Sequence, residues 1–170
     1  MPDTLPLAVA TTDDLLARLR AIATDTNDPN MFPACAAFVL RHGRPFGQLA
    51  TSSKAPPWMR KPNQCFVNCL QAAYTMPALG YVEGFATTGA DLVHHAWCVD
   101  ADGRIHDFTW GMRGVAYFGV PFARSYLVER YDQQARTGFT GSLLITFDDR
   151  MDLLQGRQSP ELWLVAASPP

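Results

Sequence analysis

The tetrad Asp100-Ala101-Asp102-Gly103 stands between two short runs rich in apolar and aromatic residues, Val93 to Val99 and Arg104 to Trp110. Asp and Gly between two such runs are a strong hairpin signal, because they accept the backbone angles of a tight turn that the flanking strands require. The length of the turn decides which side chains meet. A three-residue loop with Gly103 left-handed pairs Asp100 with Arg104, Trp97 with Asp107 and His95 with Thr109. His95 and Asp107 then share one face as diagonal neighbours, about 7–8 Å apart at Cα. A two-residue Asp102-Gly103 turn shifts the register by one and pairs Asp107 with His94 instead. Either register leaves a histidine facing Asp107, and the three-residue loop with His95 is the favoured one. A carboxylate that accepts from one imidazole nitrogen fixes the tautomer and leaves the other nitrogen free to take a proton. Against this stands the plainer reading that His94, His95 and His106 are simply tolerated on a half-buried sheet.

The hairpin closes a longer stretch, Lys61 to Trp110, that holds three of the four cysteines, three of the four histidines and two of the four tryptophans. Its first part reads as a helix: Pro62 and Asn63 precede Cys65, Phe66, Cys69, Leu70 and Ala73 at helical spacing. Asn63 is a good N-cap, which puts Cys65 at the second helical position. There the unpaired N–H groups and the positive end of the helix dipole favour a thiolate. The same N–H groups can hold a developing oxyanion, aided by the side chain of Gln64 or Asn63. Cys69, one turn further along, reads as core. The plain reading of Cys65 is likewise a small buried hydrophobe. Zinc on Cys65, Cys69, Cys98 and a histidine is disfavoured, since Cys98 and His95 point to opposite strand faces and C-x3-C lacks knuckle spacing. No metal or cofactor is expected.

The remaining bounds are broad. At 170 residues, 48% hydrophobic and 18% charged, the chain suits one globular domain with a sizeable core. The whole length is read as that domain, with the chemistry in a core over about residues 58–122. A formal charge of -2 with singly scattered arginines gives no electrostatic footprint for nucleic acid or an anionic membrane. No apolar run is long enough to span a bilayer. The first residues carry Asp3 rather than a basic cluster, and Leu5 to Ala10 is too short for a signal segment. Four cysteines at these spacings make no disulfide framework. A cytoplasmic protein with free thiols is the expectation.

Around the central stretch, residues 1–10 read as an arm and Thr11 to Asp14 as a helix start, the helix stopping near Thr24. Phe32 to Arg41 is ambiguous between helix and strand, closed by a turn at His42 to Pro45. Gln48 to Arg60 reads as an irregular loop whose Trp58 either covers a cleft or anchors the loop on the core. Gly114 to Pro121 reads as a turn-rich aromatic segment and Phe122 to Arg136 as a helix. Leu143 to Phe147 suits a buried strand, and Leu162 to Ala167 a last strand or helix.

Cys65 at a helix start, then YVEGFA, then His95-Ala96-Trp97, then Asp107 before Phe108-Thr109-Trp110, resembles the core of transglutaminase-like proteins in the wider papain-like cysteine protease superfamily. The match covers about 50 of the 170 residues. The resemblance implies an α+β fold, in which a nucleophile helix packs on a small antiparallel sheet with flanking helices. It implies Cys65 as nucleophile, His95 as general base and Asp107 as its orienter. The expected chemistry is thiol-dependent transfer or hydrolysis of an amide or ester, acting on a peptide, a protein or a small amide. Gln64, Asn63, Trp58, Glu83 and Trp97 are the candidate oxyanion or substrate contacts, with Gln48 a further oxyanion candidate. Glu83 either lines the cleft or faces solvent. The alternative is a binding or inhibitory protein on the same scaffold, because fold does not dictate function.

Overall fold

The structure, a computed structural model, describes residues 11–25, 27, 31–50, 61–110, 114–138, 141–145 and 151–165. The chain begins with α1, Thr12–Ala23. Thr11 caps it: its hydroxyl accepts from Asp14 N–H at 3.2 Å while the Asp14 carboxylate takes Thr11 N–H at 3.0 Å, so two orphan donors are satisfied reciprocally. The helix ends at Thr24, where the sequence places its stop. Phe32–His42 forms a second helix, α2, with Pro33 in its first turn, where a missing N–H costs nothing. The apolar spacing of Cys35, Ala36, Phe38 and Val39 resolves the ambiguity of this run, since all four are buried on one face. The turn expected at Arg44 and Pro45 is instead strand β1, Arg44–Phe46. Pro45 is tolerated there because β1 is an edge strand.

Next come α3, Cys65–Thr75; β2, Gly80–Thr87; β3, Leu92–Val99; β4, Ile105–His106; β5, Ala116–Pro121; α4, Arg124–Thr137; and α5, Pro160–Trp163. The fold is α+β, with five helices among the described residues and one antiparallel five-stranded sheet in the order β1-β5-β2-β3-β4. The sheet curls. Just after β1, the backbone at Gln48 and Ala50 hydrogen-bonds with Ile105 at 2.7 and 2.8 Å, at the opposite edge of the sheet. Phe46, Val82, Ala86, Trp97, Ile105 and Tyr117 fill the inner face of the curl. The outer face, with Tyr81, Phe85, Ala96, Cys98, Phe118 and Val120, packs against the helices in the larger core.

The segment Gly114 to Pro121, read from sequence as turn-rich, is the second strand of the sheet. Its glycine is there for packing. Gly84 of β2 faces Gly119 of β5, and a Cβ on Gly84 would lie 2.3 Å from Phe118 O and 2.4 Å from the Gly119 Cα. Gly119 in turn leaves room for the Trp97 ring, which a Cβ would meet at 2.6 Å. We expect Gly84→Ala to lower stability by about 3 kcal/mol, because backbone rather than a flexible side chain is in the way. Thermal denaturation monitored by circular dichroism measures it.

Two other expectations are corrected. Leu143, Leu144 and Ile145 form a bend, not a strand: the first two are buried, but the Leu143 and Ile145 N–H groups bond to side chains instead of a ladder. The strand expected over Arg104 to Trp110 stops at His106, because the Asp107 carboxylate takes the N–H groups of Thr109 and Trp110 into a turn. The last element, Pro160–Trp163, is a short helix whose following residue Leu164 bridges Phe122. The arm at 1–10, the loop at 51–60 with Trp58, Phe147 and the final residues from 166 lie outside the described residues.

Candidate active site

The site forms at the edge of β3, where the short β4 leaves room beside the strand for the first turn of α3. The hairpin takes the three-residue register: Cys98 pairs with His106, Val99 with Ile105, and Asp100 N–H reaches Arg104 O at 3.1 Å. Gly103 is left-handed at φ +76°, and the Asp100 side chain caps the turn by accepting from Asp102 and Arg104 N–H. This parity puts His95 and His94 on opposite faces and directs His95 toward Asp107.

His95 Nε2 donates to Asp107 Oδ2 at 2.8 Å, with both side chains buried. Asp107 is fully used as an acceptor. Oδ2 also takes the Tyr117 hydroxyl at 3.0 Å, and Oδ1 takes Thr109 N–H at 3.0 Å and Trp110 N–H at 2.8 Å. Trp110 stacks on the imidazole at 4.1 Å between centroids. Cys65, at the start of α3, acts on the same imidazole and raises its pKa. Since Nε2 is committed to Asp107, the nitrogen left for the sulfur is Nδ1. Burial pulls the imidazole pKa down, but hydrogen bonds to Asp107 and Cys65 and their charges outweigh it and lift it to about 9.

That shift carries a sign. A histidine with its folded pKa raised from 6.5 to about 9 adds stability that is complete below the lower value and lost as pH rises through the upper one. Wild-type protein should therefore lose melting temperature between roughly pH 6.5 and 9, and His95→Gln should flatten that slope. Calorimetric scans across the window check it.

Cys65 begins α3, one position earlier in the helix than the sequence suggests. Asn63 does not cap: it turns left-handed at φ +58°, a conformation Asn tolerates, and Gln64 takes the N-cap place without a side-chain cap bond. Both side chains are exposed. Asn68 N–H bonds to Gln64 O at 2.8 Å, so the N–H groups of Cys65, Phe66 and Val67 precede the first intrahelical bond. Cys65 keeps 9% of its surface, whereas Cys35, Cys69 and Cys98 are fully enclosed. Burial, then the Cys98 thiol, holds the Cys69 pKa well above its ordinary value, so Cys69 stays a thiol. Burial and the Glu83 charge push Cys35 up to about 12. All four cysteines are unpaired.

Two sequence candidates land elsewhere. Trp97 is wholly buried inside the curl, edge-on to Phe46 and Tyr117, and cannot meet a substrate. Glu83 neither lines a cleft nor faces solvent, being 0% exposed on the helix side of the sheet. It accepts from Ser142 Oγ at 2.6 Å, Leu143 N–H at 2.7 Å and the Tyr81 hydroxyl at 2.8 Å. His94 lies 3.1 Å from the same carboxylate, out of line for a hydrogen bond, with its ring among Phe32, Phe66 and Phe85. Gln48 is exposed and spends its carbonyl on Ile105.

Tyr117, Trp110 and Asn68 complete the site and were not singled out by sequence. Asn68, buried on α3, donates to Lys61 O at 2.8 Å and to Thr109 Oγ1 at 3.0 Å, tying α3 to the turn that holds Asp107. Its signal is a polar side chain on the apolar face of a helix. No family model, curated protein or solved structure matches the chain. Among the described residues no group of three His, Cys, Asp or Glu side chains is placed to hold a metal ion, and no helix is long and apolar enough to cross a membrane.

Proposed function

We propose that the protein is a cysteine hydrolase or acyltransferase acting through Cys65, His95 and Asp107, on a transglutaminase-like core within the papain-like superfamily. The observation that carries the reading is His95, whose Nε2 sits on a saturated carboxylate and whose pKa is raised in part by Cys65, the one cysteine of the four that retains surface. An imidazole held protonated to about pH 9 beside this sulfur supports a thiolate–imidazolium pair.

The thiolate attacks the carbonyl carbon of an amide or ester, and the electron pair shifts to oxygen. In this reading the N–H groups that open α3 receive that negative charge, as an oxyanion hole requires. As the carbonyl reforms, His95 gives its proton to the departing amine or alkoxide, leaving a thioester on Cys65. His95, now neutral, takes a proton from water or an amine, which resolves the thioester and regenerates the thiolate. Asp107 keeps the ring oriented throughout.

Peptides, proteins and small amides are the substrate classes this chemistry serves. Four unpaired thiols suit a reducing compartment such as the cytoplasm. p-Nitrophenyl acetate tests the reading. A burst of p-nitrophenol stoichiometric with protein, and a hydroxylamine-sensitive acetyl group on Cys65 by mass spectrometry, is the expected result. Release no faster than buffer would support the non-catalytic binding protein instead.

A further inference from the structure

The buried Glu83 cluster is not used by the chemistry above, and an ionised carboxylate with no solvent contact is costly unless every donor around it is placed. Two of its three donors come from far along the chain. Ser142 and Leu143 lie in the bend that follows α4, and they give Glu83 an O–H and an N–H. Three backbone groups of that bend are held as well. Gly141 N–H donates to Gln134 Oε1 at 2.9 Å, Gly141 O takes the Tyr81 hydroxyl at 3.0 Å, and Ser142 O takes Gln134 Nε2 at 2.7 Å. The Ser142 hydroxyl in turn accepts Ile145 N–H at 2.8 Å.

What the bend presses against is the nucleophile's own turn. Gly141 is left-handed at φ +76°, and a Cβ there would lie 2.3 Å from Val67 N and 2.6 Å from Phe66 C. The backbone of residue 141 therefore rests directly on the two residues that follow Cys65. Phe66 is held from the sheet side as well, its ring tilted at 53° against His94 with centroids 4.9 Å apart.

We propose that Glu83 is a positioning residue for the thiol site: through Ser142 and Leu143 it seats the Gly141 bend against the first turn of α3 and so fixes where Cys65 and its neighbouring N–H groups stand relative to His95. This rests on the thiol reading and extends it. Glu83 touches neither substrate nor sulfur. Its effect passes through backbone packing, to which a thiol–imidazole contact is sensitive at the ångström scale.

Alkylation of Cys65 by iodoacetamide tests the proposal, read by mass spectrometry on the folded protein near neutral pH. Glu83→Gln keeps the side-chain shape but places an amide against donors. It should slow Cys65 alkylation by about tenfold, while Cys35, Cys69 and Cys98 stay protected and the circular dichroism stays native. Ser142→Ala, which removes only the bridging hydroxyl, should shift the rate in the same direction by a smaller factor, and it decides the matter if Glu83→Gln does not fold. A purely structural Glu83 would lower the melting temperature and leave the native-state rate at the wild-type value, which would overturn the proposal. If wild-type Cys65 itself reacts no faster than the other thiols, the thiol reading fails and this inference with it. A fast wild type with equally fast variants sinks the inference alone.

Discussion

Cys65→Ala should abolish thioester formation and reduce ester or amide turnover by about four orders of magnitude or more, as loss of a covalent nucleophile does elsewhere. The fold should survive. The substitution removes one sulfur at a position that still keeps some surface, so the expected stability change is about 1 kcal/mol. Cys69→Ala is the control: its thiol is enclosed and donates to Ala96 O at 3.3 Å, so it should cost stability and leave the burst intact. The p-nitrophenol burst, measured alongside thermal denaturation, separates the two. If Cys69→Ala lost the burst and Cys65→Ala kept it, the nucleophile would be misassigned.

The second large effect is at Asp107, where activity and stability should separate according to the substitution. All four of its contacts are donors: His95 Nε2, the Tyr117 hydroxyl and the N–H groups of Thr109 and Trp110. Asp107→Ala strips the partner from a buried imidazolium and orphans the rest, a change that should cost about 3–5 kcal/mol. Asp107→Asn preserves shape but must point its amide N–H2 somewhere. Toward Thr109 and Trp110 it opposes two fixed backbone donors. Toward His95 it forces Nε2 to accept, which moves the ring proton to Nδ1 and leaves nothing to take the Cys65 proton. Turnover should then fall by about 10⁴-fold with most of the stability retained. Burst kinetics and denaturant titration of both variants measure these effects.

How much of this the sequence disclosed follows from how local each determinant is. The hairpin register was legible because one left-handed glycine and the two-residue parity of a strand decide it, and with it the choice of His95 over His94. The capped α1 and the start of α3 were legible for the same reason, although Asn63, free to turn left-handed, displaced the cap by one residue. The strand β5 was not, because Gly119 looks like a turn residue until Gly84 and Trp97 are seen pressing on it. Glu83 was misread for a similar reason. A carboxylate in a strand suggests solvent, and two of the three donors that permit its burial lie about 60 residues further along the chain. Tyr117 and Asn68 likewise gain their meaning only from contacts across the fold.

Reactivity of the sulfur beside His95 tests the account most directly. Iodoacetamide rates for the four cysteines, followed by mass spectrometry from about pH 6 to 9 with His95→Gln in parallel, supply the comparison. The account predicts that Cys65 alone reacts rapidly in the folded protein already near neutral pH, that unfolding erases its advantage, and that His95→Gln slows it. Equal sluggishness of all four thiols, or a Cys65 rate indifferent to His95, would contradict it.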